Sequence, residues 1–506
     1  MRGISEVPRE LTVTDLTLDS REVTPGAAFF ACRGASQHGL QFAARAAAAG
    51  ARAIFWESAP DELAPELPAD VFVREVPQLR AHLGQIADRF FGAPSAHLAI
   101  AGITGTNGKT TCAWLLAEAL ARLGRRSAYL GTLGAGQASW AHGTVSLALR
   151  PLMRTTPDVL SLHRLLGELL RTGSDSVAME ISSHALDQQR CAGVRLRAAA
   201  FTNLTRDHLD YHGSMAAYAA AKARLFDWPG LAARIINIDD AFGRTLAQRF
   251  KAGNPGEQLF VTTRDASAGH AAGQRGCEYV CAERVAIGAA GLTLGLATSR
   301  GRATLASALR GAFNVDNLLT VLALLLAWDI PLQDACAALG ACAAPPGRLQ
   351  AEGGGALPLV LIDYAHTPDA LAKALEAARL HCTGRLWCVF GCGGERDAGK
   401  RADMGRIAAA QADVLIITDD NPRGEDPATI AAAIAEGAAA AGAAGRMRIV
   451  HDRTLAIRRA LGEASAGDVV LVAGKGHEAY QLIGSERRAF SDAEAVRAAL
   501  AMRGPA

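Results

Sequence analysis

Hydrophobic residues along this chain fall into short apolar blocks separated by longer amphipathic stretches. From about residue 98, LAIAGIT (98–104), SAYLGTLG (127–134), SVAMEIS (176–182), AAAFTNL (198–204) and ARIINIDD (233–240) read as strands. TTCAWLLAEALARLG (110–124) reads as a helix stopped at Gly124. Apolar strands alternating with helices predict a parallel sheet covered on both faces. Before this region, TLDSREVTPGAAFFACRG (17–34) reads as strand, Pro-Gly turn, strand; a helix stopped by Gly50 and a strand at ARAIFW (51–56) follow. GAFNVDNLLTVLALLLAW (311–328) is a helix with Asn314 as its expected N-cap. After the Pro/Gly-rich stretch 343–358 the alternation restarts, with strands in LVLIDYAH, LWCVFGCGG, VLIITDDNP, RIVHD and VVLVAGKGHE. The breaks at FFGAPSAH (90–97) and at 343–358 divide the chain into 1–92, 93–342 and 343–506. Three α/β domains suit a length of 506 residues.

Charge narrows the classes. There are 52 basic and 50 acidic residues, which leaves no electrostatic footprint for nucleic acid. The longest apolar run, LLTVLALLLAWDI (318–330), is too short to span a bilayer. MRGISEVPRE lacks the apolar core of a secretory signal. Ten cysteines form no CxxC pair, only CxxxC at Cys277/Cys281 and Cys388/Cys392, which fits reduced thiols in a cytoplasm. Lysine occurs only at 109, 222, 251, 373, 400 and 475, so arginine is the default cation. A lysine kept against that background points to a place where only an amine serves, since arginine neither loses its proton nor acts as a compact charge.

The strand LAIAGIT runs into GTNGKTT (105–111) and then a helix, the context of a phosphate-binding loop. Gly105, Thr106, Asn107, Gly108, Lys109, Thr110 and Thr111 form the cradle. Lys109 is expected to reach the β/γ-phosphates and Thr110 to hold Mg²⁺. Five residues, not four, separate Gly102 from Gly108, so the strict spacing is not met. A glycine-rich turn with a chance lysine is the alternative.

With this loop, LDSR (18–21), MEISSHAL, FTNLTRDHLDYHG, GAFNVDN, DYAHTPDAL, FGCGGERD, DDNPR and AGKGHE occur in the order found in the Mur ligases of peptidoglycan synthesis. The chain resembles that family nearly end to end, and most of all its branch that adds the third peptide residue. The resemblance implies a small UDP-binding N-terminal domain, a central P-loop ATPase domain and a Rossmann-like C-terminal domain. It implies a cytoplasmic monomer that joins meso-diaminopimelate to UDP-N-acetylmuramoyl-L-alanyl-D-glutamate through an acyl phosphate, using ATP and Mg²⁺. Glu180 and His208 are the matching metal positions. A surface carboxylate and an ordinary hydrogen-bonded histidine are the alternatives. Lys222, in an Ala-rich helix, is the position that the family carbamylates. The chemistry is coherent, because CO₂ adds to a neutral amine and burial lowers a lysine pKa.

By the same resemblance Asn314, Arg348, Asp363 and His366 meet the nucleotide. Leu18 and Ser20 meet the uracil and diphosphate end, while Arg154, Thr155, Thr156, Ser182, Gln188 and Arg190 meet the pyrophosphate, sugar and peptide. Arg396, Asp420, Asn421, Pro422, Arg423, Gly474 and Glu478 are the amino-acid positions. DNPR resembles the diaminopimelate signature: Arg423 can pair with the carboxylate that lysine lacks, while Asp420 and Glu478 hold the adjacent ammonium. An Asn-Pro turn is the alternative. Arg154 stands where the family usually has Asn, and Gln350 where it usually has Glu. A folylpolyglutamate synthetase would share the loop but lack LDSR and DNPR. A Rossmann oxidoreductase would need a GxGxxG turn, which is missing from the sequence. A non-catalytic relative would be favoured by loss of Lys109, Lys222 or Glu180, and all three are present.

Overall fold

The computed structural model describes residues 7–8, 10–34, 37–58, 65–141, 144–250, 256–288 and 290–503. Lys251 and most of the leading MRGISEVPRE lie outside them. The chain forms two compact units. One gathers Met1–Thr262, Ala271–Tyr279 and Ala323–Asp329; the other holds Thr263–His270, Val280–Leu322 and Ile330–Ala506.

The first unit opens with a four-stranded parallel sheet, β1 (Leu16–Thr17), β2 (Ala28–Ala31), β3 (Ala53–Glu57) and β4 (Phe72–Val76), in that order. Because β1 and β2 are parallel, the turn at Pro25-Gly26 belongs to a crossover and not to a hairpin. Successive side chains face opposite ways. Phe30 and Phe55 therefore join a core with Leu79, Leu83, Val159 and Leu160, while Phe29, Ile54 and Trp56 join another with Leu40 and Ala43.

A second sheet follows, from β5 (Ala99–Thr104), β6 (Ser127–Gly131), β7 (Gly134–Ala141), β8 (Thr144–Leu147), β9 (Ser176–Glu180), β10 (Ala198–Phe201), β11 (Ala233–Asn237) and β12 (Gln258–Thr263). Their order in space is β12-β11-β10-β5-β9-β6-β7-β8. The five apolar blocks read from sequence are the parallel strands β5, β6, β9, β10 and β11. The pair β7–β8 extends the edge in antiparallel fashion and has no such block. β5 connects towards β6 on one side and β10 towards β11 on the other. The crevice outside their carboxyl ends is thus a topological switch point, where ligands bind in such sheets.

The second unit contains an antiparallel meander, β13 (Glu278–Gly288), β14 (Gly291–Thr298) and β15 (Gly301–Ser307), which the apolar blocks did not foretell. It also contains a six-stranded sheet of β16 (Gln350–Gly353), β17 (Leu359–Asp363), β18 (Leu386–Phe390), β19 (Val414–Ile417), β20 (Met447–Ile449) and β21 (Val469–Ala473), in the order β16-β17-β21-β18-β19-β20. Only β16 is antiparallel. Alternate residues again divide between two cores: Leu361, Cys388 and Leu415 on one face, Val360, Trp387, Val389 and Ile416 on the other. Asn314 does not cap its helix from outside. It is the first residue of Asn314–Ala327, its amide donates to the Arg310 carbonyl at 2.7 Å, and its oxygen accepts from the Asn317 side chain at 2.7 Å.

Candidate active site

The loop between β5 and the helix Lys109–Arg122 is shaped by two glycines at positive φ, Gly105 and Gly108. A Cβ on Gly105 would overlap the Thr202 hydroxyl. The segment after β10 clamps the loop. Thr106 N donates to the Asn203 carbonyl at 2.8 Å, and Asn107 N donates to Asn203 Oδ1 at 2.9 Å. Asn203 Nδ2 returns a bond to the Asn107 carbonyl at 3.2 Å, and Thr205 N donates to Thr106 Oγ1 at 3.0 Å. The Tyr218 hydroxyl lies 3.2 Å from Thr106 Oγ1, and burial pushes its pKa up to about 12.

Two lysines converge on one carbonyl. Lys109 Nζ donates to the oxygens of Gly105 and Thr106, each at 2.9 Å. Lys222 Nζ donates to the same Gly105 oxygen at 2.7 Å and lies 4.4 Å from the centre of the Tyr218 ring. Lys222 is only 1% exposed. Burial first, and the Lys109 cation second, hold its amine well below the ordinary lysine value.

Glu180, the last residue of β9, is fully buried and therefore no surface carboxylate. Its Oε2 accepts from Thr110 Oγ1 at 3.0 Å and from Thr132 Oγ1 at 3.1 Å. Its Oε1 accepts from the Tyr129 hydroxyl at 2.5 Å and Thr132 N at 2.9 Å. Threonine hydroxyls and a carboxylate form a hard-oxygen set suited to Mg²⁺. His208, in contrast, is an exposed residue with φ of 53°, 3.3 Å from Asp207. Its ring packs on His184, whose pKa is pushed down to about 4 by burial and by His208 and His212.

The residues expected to meet the sugar peptide surround the end of β9. Thr155 Oγ1 lies 3.1 Å from Thr132 Oγ1. Thr156 is buried, donates to the Glu180 carbonyl at 2.9 Å and accepts from Ser182 N at 3.2 Å. Its hydroxyl is thus a brace. Ser182 Oγ caps the short helix Ser183–Asp187 through Ala185 N. Arg190 donates to the Thr156 carbonyl and to Gln188 Oε1, and Arg154 stands exposed nearby, its charge acting on Arg190. Leu18 packs on the first sheet's core, which includes Val159 and Leu160 just after Arg154-Thr155-Thr156; Ser20 is buried beside Asp19.

In the second unit Asp363 ends β17 and accepts from Leu349 N at 2.8 Å and Ala365 N at 2.9 Å, while burial raises its pKa. Arg348 stacks on the Tyr364 ring at 4.9 Å. His366 bonds to the Tyr364 carbonyl at 2.8 Å, and its own carbonyl accepts from Lys400. At the carboxyl ends of β19 and β21, Lys475 Nζ donates to Asn421 Oδ1 at 3.0 Å and Glu478 Oε2 at 2.9 Å. Asn421 Nδ2 donates to the same Glu478 oxygen at 2.9 Å. Arg423 has φ of 52°, with its backbone locked to Leu482 and Gly484. Its Nη1 donates to the Gly394 carbonyl at 2.8 Å, beside the loop that carries Arg396. A Cβ on Gly474 would strike Asp420 Oδ2, so only glycine lets that carboxylate sit there.

Comparison with known proteins now decides the family. Residues 12–91 match the pattern described as "Mur ligase family, catalytic domain", 103–325 "Mur ligase middle domain" and 347–476 "Mur ligase, glutamate ligase domain". A Pseudomonas aeruginosa protein named UDP-N-acetylmuramoyl-L-alanyl-D-glutamate--2,6-diaminopimelate ligase is 46% identical over 98% of this chain and 96% of its own length. A Xanthomonas campestris pv. campestris protein of the same name is 48% identical over 98% and 95%. The chain belongs to the Mur ligase family. A solved structure titled with that same ligase name is 34% identical, covers 98% of this chain and 96% of its own, and superimposes with a TM-score of 0.68.

This Mur ligase thus has the three-domain α/β architecture expected from its sequence. Within the first unit, Lys109 and Lys222 meet at the Gly105 carbonyl, Thr110 meets Glu180, and Thr156 joins the end of β9 to Ser182 and Arg190, with Gln188 bonded to Arg190 and Thr155 reaching Glu180 through Thr132. Within the second, Asp420, Asn421, Arg423, Gly474 and Glu478 share one end of the sheet. Sequence reasoning overlooked Thr132, Tyr129, Asn203, Thr205 and Tyr218, whose roles depend on neighbours distant in the chain. It also assigned no role to Lys475, although lysine scarcity and its place in AGKGHE both marked it.

Proposed function

We propose that this Mur ligase joins meso-diaminopimelate to UDP-N-acetylmuramoyl-L-alanyl-D-glutamate at the expense of ATP, as a cytoplasmic monomer. The domains are 1–92 for the UDP-sugar, 93–342 for ATP and ligation, and 343–506 for the amino acid. The observation that carries the reading is Arg423. It is held at positive φ with one guanidinium nitrogen on Gly394, beside the acids Asp420 and Glu478 and the amide Asn421. Diaminopimelate offers a second carboxylate for the guanidinium and an ammonium for the acids.

The chemistry requires two anions, the substrate carboxylate and the γ-phosphoryl group, to meet. The Gly105–Thr111 backbone cradles the phosphates and Lys109 neutralises them. The carboxylate attacks phosphorus to give an acyl phosphate and ADP, and the incoming amine then displaces inorganic phosphate. Thr110, Glu180 and His208, with Lys222 as a carbamate, are the residues for Mg²⁺, which supplies charge stabilisation when bound. Among the described residues no group of three or more His, Cys, Asp or Glu could hold a metal ion. Mg²⁺ typically takes one or two carboxylates plus phosphates and water. Carbamylation fits a buried Lys222 amine whose pKa is held well below the ordinary lysine value, and would supply a further anion. Asn314, Arg348, Asp363 and His366 bind nucleotide, and Leu18, Ser20, Arg154, Thr155, Thr156, Ser182, Gln188 and Arg190 bind the UDP-sugar peptide. Among the described residues no helix is long and apolar enough to cross a membrane.

A phosphate-release assay with ATP, Mg²⁺ and the UDP-dipeptide tests the reading. Release is expected on adding meso-diaminopimelate, and far less with L-lysine. Equal use of both amino acids would overturn the substrate assignment, and no release with either would overturn the ligase assignment.

A further inference from the structure

Behind the amino-acid residues lies a fully buried ion pair that the chemistry above does not use. Arg453, the first residue of the helix Arg453–Glu463, donates through Nε to Asp492 Oδ1 at 2.7 Å and through Nη2 to Asp492 Oδ2 at 2.9 Å. Both side chains have no exposure. Nη2 also donates to the carbonyl of Ala473 at 2.9 Å, the last residue of β21 and the neighbour of Gly474. The third nitrogen, Nη1, is buried and has no partner among the described residues. Asp420 stands across Gly474 and is 7% exposed, and the one ion pair of its carboxylate among the described residues is with the Lys475 ammonium, at 4.0 Å. A nearby cation favours the ionised form of a carboxylate so placed.

We propose that Arg453, fixed by Asp492, is a positioning residue for amino-acid binding: it pins the Ala473–Gly474 backbone against which Asp420 rests and supplies the positive field that keeps Asp420 an anion for the substrate ammonium. The inference rests on the proposed amino-acid site. Burial raises the Asp420 pKa, and Arg453 is the foremost group opposing that rise, ahead of Lys475, while Glu478 and Asp492 add to it. Tyr364, His366, Cys392 and Tyr480 also face Asp420 and are affected by its charge. None of them is a cation as long as His366 stays neutral, and burial holds the His366 pKa down.

The test measures kcat and KM for each substrate across pH in wild type, Arg453→Met, Arg453→Lys and the double variant Arg453→Met/Asp492→Leu. Wild-type turnover with meso-diaminopimelate comes first, because its absence would refute the underlying assignment and not this inference. Arg453→Met is expected to raise KM for the amino acid on the order of 10-fold or more, as loss of a charge-assisted hydrogen bond does. In folded enzyme, KM for ATP and for the UDP-dipeptide should stay within about twofold, since the residues proposed for those substrates do not contact Arg453. The acid limb of kcat/KM for the amino acid should move to higher pH, because removing a cation raises a carboxylate pKa. Arg453→Lys keeps the charge and should leave the limb near its wild-type position. The double variant removes both buried charges and avoids an orphaned Asp492, so it is the variant expected to fold well. In it the KM rise should persist, with a smaller limb shift because an anion leaves with the cation. A folded double variant with wild-type KM, or an Arg453→Met enzyme with an unmoved acid limb, would overturn the proposal.

Discussion

Lys222 and Lys109 point their amines at a single carbonyl oxygen, a placement that two full charges would resist. The conflict is relieved at Lys222, the buried partner, whose amine is held towards its neutral form. A neutral amine is the form that adds CO₂. With the depressed pKa, the proposed carbamate should survive to lower pH than at an exposed lysine and be lost as pH falls through the folded value. Activity in CO₂-depleted buffer should therefore decline on the acid side and recover with bicarbonate. Lys222→Ala should fold normally, lose on the order of 10²–10³-fold in kcat and gain nothing from bicarbonate. Carbon-13 NMR with labelled bicarbonate reads the adduct directly, and a wild-type spectrum without a carbamate resonance would refute it.

Gln350 shows how a departure from the family pattern can be read at the same scale. Its oxygen accepts from Gly347 N at 3.0 Å and its amide donates to Glu352 Oε1 at 2.9 Å. A glutamate here would lose the donor and face the Glu352 carboxylate. Gln350→Glu should cost about 1 kcal/mol in urea unfolding near neutral pH. Because the repulsion needs both carboxylates ionised, the deficit should shrink in acid. A deficit independent of pH would mean that charge is not its cause.

At the scale of elements, the phosphate loop is not self-supporting. Asn203, two residues after the end of β10, both accepts from Asn107 N and donates to the Asn107 carbonyl. Asn203→Ala removes two bonds at about 0.5–1.5 kcal/mol each, so KM for ATP should rise roughly 5- to 100-fold with little change in melting temperature. An unchanged KM would show that the Gly-rich loop holds its shape unaided. The strand–loop–helix order was legible because a buried parallel strand is a continuous apolar run and its loop is marked by glycine. The clamp was not, because TNLT carries no pattern of its own and acts only where β10 lies beside β5. The antiparallel additions were missed for a related reason. Residues 134–147 are rich in Gly, Ala and Ser, and β13 mixes buried and exposed positions without a clean alternation. Lys475 differs, since its rarity was visible in the composition and only its partners, Asn421 and Glu478, were hidden.

At the scale of the whole molecule, the two units hold different parts of the proposed chemistry. Lys109, Thr110, Glu180 and Lys222 all belong to the first, and Asp420, Asn421, Arg423 and Glu478 all belong to the second. Loss of the phosphoryl-facing groups should stop the first step, whereas loss of the amino-acid groups should stop only the second. Positional isotope exchange in ATP, run with the UDP-dipeptide and no amino acid, reports the first step alone. Lys109→Ala should abolish both exchange and ligation, because the preorganised cation acts on the transferring phosphoryl group. Arg423→Ala should keep near-wild-type exchange while losing on the order of 10²–10³-fold in kcat/KM for meso-diaminopimelate, the cost of removing one partner of a hydrogen-bonded charge pair. L-lysine should remain a poor substrate for that variant, because deleting the guanidinium builds no pocket for a bare methylene. Arg423→Lys should not restore ligation, since an ammonium cannot make a two-pronged contact with a carboxylate. If Arg423→Ala lost isotope exchange as fully as Lys109→Ala, the division of labour would be wrong, and Arg423 would belong to the phosphoryl-transfer step itself.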